Sequence, residues 1–125
     1  PRVYADLLGE KLEKHKAQVW LVNTGWTGGP YGVGHRIDLP YTRALVHDAL
    51  RGELDHCSMR KDPNFGFDVP QLCSGVPSHI LDPRQTWDDP EAYDRQAAAL
   101  VQKFKDNFAQ FAGMVSPEVM AAGPA

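Results

Sequence analysis

Five closely spaced glycines followed by an arginine are the feature of this sequence best suited to chemistry. They lie within residues 23–42 and are Gly25, Gly28, Gly29, Gly32 and Gly34, with Arg36 just beyond the last of them. Glycine lets the backbone turn through positive φ and come close to a ligand, and arginine supplies a charge that does not titrate near neutral pH. The pattern favours binding of a planar anion such as a nucleotide.

The spacing of these glycines does not by itself separate a ligand site from a structural loop. The segment has no Gly-Lys-Ser/Thr ending, which excludes a Walker phosphate loop, and it lacks the spacing of a dinucleotide fingerprint. A structural glycine loop therefore fits the spacing as well as a nucleotide site does.

Two elements before the loop are predicted to carry it. Residues 4–16 have apolar side chains on one helical face and charges on the others, which predicts an amphipathic helix. Residues 18–22 alternate and are largely apolar, which predicts a short buried strand with Trp20 in the core. A helix followed by a strand is an order that recurs in α/β domains.

A helix over residues 40–51 is predicted after the loop. Asp38 can act as its N-cap, Pro40 needs no partner for a first-turn N–H, and Gly52 is a natural terminator. Thr42 falls in the first turn, where side chains and free N–H groups can reach a ligand. The predicted buried face consists of Ala44, Leu45, Ala49 and Leu50.

The second half of the chain predicts a hairpin, an irregular stretch and a long helix. Apolar stretches at 57–59 and 65–69 indicate the hairpin, and repeated prolines predict coil as far as residue 84. The helix is expected over residues 90–111, capped by Asp88 or Asp89, and is predicted to pack on strand 18–22 and helix 40–51. Its expected core stripe is Tyr93, Ala97, Leu100, Val101, Phe104, Phe108 and Phe111.

The C-terminal residues are predicted to be only weakly ordered. Residues 116–118 read as the start of a short last turn, because a serine precedes a proline and a glutamate there. Residues 123–125 are expected to fray.

Composition limits the classes of partner. The chain has 125 residues, 42% of them hydrophobic, which suits one domain. Its formal net charge of −3 gives no general attraction to nucleic acid or anionic membranes, and no apolar run is long enough to span a bilayer. Without a signal-peptide pattern, a cytoplasmic location is expected, with Cys57 and Cys73 as reduced thiols.

Neither a metal site nor a catalytic nucleophile is predicted. The histidines and cysteines lack metal-ligand spacing, and no serine, cysteine and histidine arrangement indicates a nucleophile. The carboxylates near the prolines of the second half are assigned to turns and helix caps; they are Asp82, Asp88, Asp89 and Glu91.

The glycine-rich segment resembles the C-terminal region of ATP-dependent phosphoenolpyruvate carboxykinases. The resemblance rests first on residues 22–37, which read Val-Asn-Thr-Gly-Trp-Thr-Gly-Gly-Pro-Tyr-Gly-Val-Gly-His-Arg-Ile, and on Tyr41-Thr42-Arg43-Ala44. It continues in the same order through Leu-Leu-Gly-Glu-Lys-Leu at 7–12, Asp-Pro-Asn-Phe-Gly-Phe at 62–67, Pro70, Gly-Val-Pro at 75–77 and Leu-Asp-Pro-Arg-Gln-Thr-Trp at 81–87. The likeness covers nearly the whole chain.

The resemblance implies an α/β fold in which helices pack on a small sheet. Residues 1–125 would be the C-terminal segment of the mononucleotide-binding carboxykinase domain, with the phosphate-binding loop and the metal ligands upstream. Arg36, Ile37 and Thr42 match family positions that contact ATP, Ile37 through its backbone and Thr42 through its hydroxyl or amide. His35 stands where the family commonly has lysine, which would weaken the attraction for phosphate.

The resemblance also implies an activity for the parent enzyme. That enzyme would convert oxaloacetate and ATP to phosphoenolpyruvate, ADP and CO2 in gluconeogenesis, with Mg and Mn ions held outside this segment. This segment would form a wall of the nucleotide pocket and would be inactive by itself. The alternative is a non-catalytic nucleotide-binding or protein-interaction module.

Overall fold

The computed structural model describes residues 2–23 and 25–125. Within that part, the α-helices are Arg2–His15 (α1), Leu39–Leu50 (α2), Pro90–Phe108 (α3) and Pro117–Ala121 (α4). The strands form two separate antiparallel ribbons, Trp26–Thr27 (β1) with His35–Arg36 (β2) and Met59–Lys61 (β3) with Asp68–Pro70 (β4). Short 3₁₀ helices lie at Glu53–His56, Ser78–Leu81, Pro83–Thr86 and Ala109–Met114. The expected mixture of helices and small sheet is confirmed, and the sheets are two small antiparallel ribbons.

The predicted strand over residues 18–22 is wrong, because this segment has no regular secondary structure. Leu21 is 76% exposed, and the indole Nε1 of Trp20 is buried without a hydrogen-bond partner in the described part of the chain. An apolar alternating segment becomes a strand only when another strand pairs with it and another surface covers it. The described residues supply no strand that pairs with this segment, and they cover Trp20 but leave Leu21 exposed.

Helix α2 agrees closely with the helix predicted over residues 40–51. Its N-cap differs in detail, because the Asp38 side chain makes no capping hydrogen bond. The main-chain carbonyl of Asp38 instead accepts from the amides of Tyr41 and Thr42, at 3.0 and 3.2 Å. Gly52, at φ 74°, follows the helix as predicted. Leu50 is exposed, contrary to prediction, and the buried residue of α2 is Asp48.

The predicted hairpin is present, displaced by about two residues. Met59 pairs with Pro70 and Lys61 pairs with Asp68. The Asp62 carboxylate accepts from the amides of Asn64 and Phe65, at 3.1 and 2.6 Å, and so closes the connecting turn. Pro70 therefore lies at the end of a strand rather than in coil.

Helix α3 begins as predicted and ends earlier. The Asp89 carboxylate caps it by accepting from the amides of Glu91 and Ala92, and residues beyond Phe108 continue as a 3₁₀ helix. The continuous buried stripe is wrong at Leu100, which is 43% exposed, and at Phe104, which is 53% exposed. The ring of Phe104 makes an edge-to-face contact with that of Phe65, with centroids 5.6 Å apart. Helical spacing placed Phe104 correctly on one face, but that face extends past the elements that cover it.

The main neighbours of α3 among the helices and strands are the 3₁₀ helices that precede and follow it in the chain, and α2, on which it was predicted to pack, is not among them. The guanidinium of Arg84 donates two hydrogen bonds to the Asp94 carboxylate, at 2.9 and 3.0 Å. The buried apolar side chains of the core are Leu54, Val76, Leu81, Ala97 and Val101.

The C-terminal residues are held in place, contrary to the predicted fraying. The short turn predicted from residue 116 is helix α4, in which the Ser116 hydroxyl accepts from the amide of Val119. The amide of Ala125 donates to the carbonyl of Asn64 at 2.9 Å, and Lys105 Nζ donates to the carbonyl of Ala125 at 2.9 Å. Two hydrogen bonds thus fasten the chain end to the β3–β4 turn and to α3.

Candidate nucleotide-binding site

The glycine-rich segment folds as a β-ribbon rather than as an open loop. Trp26 pairs with Arg36 and Thr27 pairs with His35. The amide of Ile37 donates to the carbonyl of Gly25 at 3.1 Å, which extends the ribbon by one more pair. Thr24, which belongs to the same segment, lies outside the described residues.

The turn of the ribbon requires glycine at its closest approach. A side chain at Gly34 would overlap the carbonyl of Thr27 and would lie 2.7 and 2.9 Å from the carbonyl oxygen and amide nitrogen of Gly29. Gly28 and Gly32 have φ of 75° and 90°, which side-chain-bearing residues rarely adopt. Several of the glycines are thus explained by the ribbon's own geometry, without a ligand.

The side chain of Thr86 attaches the ribbon to the 3₁₀ helix Pro83–Thr86. The Thr86 hydroxyl accepts from the hydroxyl of Thr27 at 3.0 Å and from the amide of Gly28 at 3.2 Å. It also donates to the carbonyl of Pro83 at 2.8 Å. The hydrogen-bonding capacity of this hydroxyl is thereby used completely, so the ribbon has a defined position on the 3₁₀ helix Pro83–Thr86.

Arg36 is exposed at the open end of this ribbon. Its guanidinium makes no hydrogen bond or ion pair with residues 2–23 or 25–125. Because successive side chains of a strand point to opposite faces, His35 lies on the other face, across from Thr27. His35, which stands where the family commonly has lysine, is therefore not beside the Arg36 guanidinium.

Ile37 and Thr42 follow Arg36 on the connection into α2. The amide of Ile37 is used by Gly25 and the amide of Thr42 is used by Asp38. The groups of these residues that remain able to bind a ligand are the carbonyl of Ile37 and the hydroxyl of Thr42.

A surface depression lies elsewhere on α2. It has a volume of about 870 Å³ and is lined by the middle and end of α2, the 3₁₀ helix Glu53–His56 and residues 72–74. Arg36, Ile37 and Thr42 do not line it. Arg36 is exposed, whereas Ile37 and Thr42 are half-buried.

A buried aspartate beside that depression was not predicted from the sequence. The Asp48 carboxylate accepts from the thiol of Cys73 at 3.3 Å and from the amide of Ser74 at 3.1 Å, and it lies 3.5 Å from Nδ1 of His47. The hydrogen bond from Cys73 is the main cause that lowers the pKa of Asp48. Burial, together with the Asp48 carboxylate, raises the pKa of the Cys73 thiol to about 11. Cys73 is thus a protonated structural donor rather than a nucleophile.

No three His, Cys, Asp or Glu side chains among the described residues come together as a metal site. Both cysteines are free thiols, and no described helix is long and apolar enough to cross a membrane.

Comparison with known proteins shows the family to which this chain belongs. The profile of the phosphoenolpyruvate carboxykinase family matches residues 1–79, more than half of the chain. The chain belongs to this family, and the curated relatives that it matches are of the ATP-dependent type.

The relatives resemble the chain along nearly its whole length. The phosphoenolpyruvate carboxykinase (ATP) of Thermus thermophilus is 56% identical over 124 residues, which are 99% of this chain and 23% of the relative. That of Caldanaerobacter subterraneus is 55% identical over 99% of this chain and 24% of the relative. Phosphoenolpyruvate carboxykinase (ATP) 1 of Moorella thermoacetica is 59% identical over 89% of this chain and 21% of the relative. The chain thus spans about a quarter of the length of these relatives.

Proposed function

We propose that this chain forms one wall of the ATP pocket of an ATP-dependent phosphoenolpyruvate carboxykinase. The enzyme would convert oxaloacetate and ATP to phosphoenolpyruvate, ADP and CO2, as a cytoplasmic step of gluconeogenesis. The observation that carries the proposal is the exposed guanidinium of Arg36, which has no partner in the described part of a chain 56% identical to such an enzyme.

Each of the three residues is proposed to have a separate role toward ATP. Arg36 supplies a fixed positive charge for a phosphate or ribose oxygen, and the Ile37 carbonyl and Thr42 hydroxyl fix the base end. Phosphoryl transfer depends on positioning and on charge placement, and a ribbon fixed by Thr86 provides such positioning. No catalytic residue is assigned to this segment.

The remaining parts of the reaction belong to a longer carboxykinase chain. Oxaloacetate and the Mg and Mn ions would be bound there, together with the triphosphate. The exposed apolar residues between α1 and β1 support this division, because Leu21 and its neighbours need a covering surface that the described residues do not provide.

Activity measurements on two chains test the proposal. The full-length natural chain that contains these residues should form phosphoenolpyruvate from oxaloacetate and ATP with Mg and Mn present, and residues 1–125 alone should form none. Phosphoenolpyruvate formation by residues 1–125 would contradict the proposal that oxaloacetate and the metal ions are bound outside this segment. A folded full-length chain that binds ATP without forming phosphoenolpyruvate would favour the non-catalytic nucleotide-binding module instead.

A further inference from the structure

Two exposed aromatic rings lie beside Arg36 on the glycine ribbon. Trp26 is the cross-strand partner of Arg36, and such partners project from the same face of an antiparallel pair. Trp26 is 43% exposed, and Tyr31, at the turn of the ribbon, is 85% exposed. One face of the ribbon therefore presents an indole next to an unpaired guanidinium.

The two rings contact each other in a way that fixes the indole. Their centroids are 5.2 Å apart and their planes are inclined by 81°, which is an edge-to-face contact. Such a contact occupies at most one of the two faces of the indole, and 43% of the Trp26 surface remains exposed. Because Gly34 and the Thr86 hydrogen bonds fix the ribbon below Trp26, the ring is held on a rigid support.

We propose that Trp26 is the stacking platform for the aromatic base of the nucleotide, with Tyr31 as the residue that orients it. This inference rests on the proposed ATP pocket and adds a residue to it. A planar ring beside a fixed cation suits a ligand that combines an aromatic base with an anionic chain, since the base stacks on the ring while the guanidinium binds an oxygen of the chain. Trp26 then distinguishes a nucleotide from an anion that has no base.

Binding of two ligands to the full-length chain separates stacking from charge. The variants are Trp26→Leu, Trp26→Phe and Tyr31→Ala, with Trp87→Phe as the control, because the ring of Trp87 contacts that of Tyr93. The ligands are ATP and inorganic tripolyphosphate, which lacks the base. Trp26→Leu should weaken ATP binding by about 5- to 150-fold and change tripolyphosphate binding by less than about twofold. Trp26→Phe should retain most of the affinity, and Tyr31→Ala should lose less than Trp26→Leu.

A fluorescence measurement tests the same point without removing the indole. In a full-length chain in which Trp20, Trp87 and every tryptophan outside this segment are replaced by phenylalanine, Trp26 is the remaining tryptophan. ATP should quench its fluorescence and tripolyphosphate should not. Equal losses for both ligands, an unchanged ATP affinity, or equal quenching by both ligands would overturn the role of Trp26. If Arg36→Ala still weakens both ligands in that case, the ATP pocket stands and only the stacking inference fails.

Discussion

The hydroxyl of Thr27 lies 3.0 Å from the hydroxyl of Thr86, which is 59 residues further along the chain. This hydrogen bond and the one from the amide of Gly28 join the glycine ribbon to the 3₁₀ helix that packs on α3. The position of Arg36 therefore depends on residues that are remote in the sequence.

Replacing Thr86 by valine should test this attachment. Valine keeps the shape of threonine but removes the hydroxyl, which leaves the Gly28 N–H and the Thr27 hydroxyl without their partner. We expect the free energy of unfolding to fall by about 1–3 kcal/mol, measured by urea denaturation. Thr86→Ser keeps the hydroxyl and should lose less. Equal stability of the Thr86→Val chain and the wild type would show that the attachment contributes nothing.

Gly34→Ala should disturb the ribbon while a matched substitution elsewhere does not. The new methyl group would meet backbone atoms of Thr27 and Gly29, which cannot move without opening the ribbon. We expect a loss of about 1–3 kcal/mol, seen as a lower melting temperature. Gly113→Ala is the control, because a methyl group there would have no heavy atom within 4 Å. Similar melting temperatures for both variants would contradict the close packing at Gly34.

The Cys73 thiol should make stability fall at alkaline pH. The folded chain raises the pKa of Cys73 from 9.0 to about 11, so it holds this proton more tightly than the unfolded chain does. The stability that the protonated Cys73 thiol contributes is complete below pH 9.0 and is lost as the pH rises to about 11. The free energies of unfolding of the wild type and of Cys73→Ser should therefore approach each other as the pH rises from 9.0 to about 11. A pH-independent difference would contradict the raised pKa.

The reactivity of Cys73 provides a second readout of the same contact. Asp48→Asn removes the negative charge beside the thiol, so Cys73 should be alkylated faster at a given pH. The other cysteine, Cys57, donates to the carbonyl of Leu54 and serves as the internal reference. Unchanged alkylation of Cys73 in the Asp48→Asn chain would show that the carboxylate does not control it.

The helices could be predicted because their signals are local. Apolar spacing, Pro40 with Gly52, and Asp89 with Pro90 each act within a few residues, and α2 and α3 begin where these signals place them. The strand predicted over residues 18–22 failed because a strand needs a partner, and pairing is not written in the strand's own sequence. The predicted burial of Phe104 was wrong for a related reason, because helical periodicity identifies the apolar face of a helix but not the elements that cover it.

The candidate-site residues are sequence predictions, whereas their surroundings became visible only in the structure. The glycine spacing and the resemblance pointed to Arg36, Ile37 and Thr42, and their roles toward ATP remain predictions. The burial of Asp48 was missed because its partners, Cys73 and Ser74, lie 25 and 26 residues away. Its one sequence signal was an acidic residue between the apolar positions Leu45 and Ala49 of α2.

Arg36 is proposed to bind ATP. Titration calorimetry on the full-length chain measures this binding. A charge-assisted hydrogen bond contributes about 1.5–3 kcal/mol, so Arg36→Ala should raise the dissociation constant of ATP by about one to two orders of magnitude. Oxaloacetate binding should change much less, because its contacts are proposed to lie outside this segment. Arg36→Lys should recover only part of the loss, since an ammonium group lacks the planar fork of a guanidinium. An unchanged ATP dissociation constant in a folded Arg36→Ala chain would contradict the claim and would leave the glycine ribbon with a structural role alone.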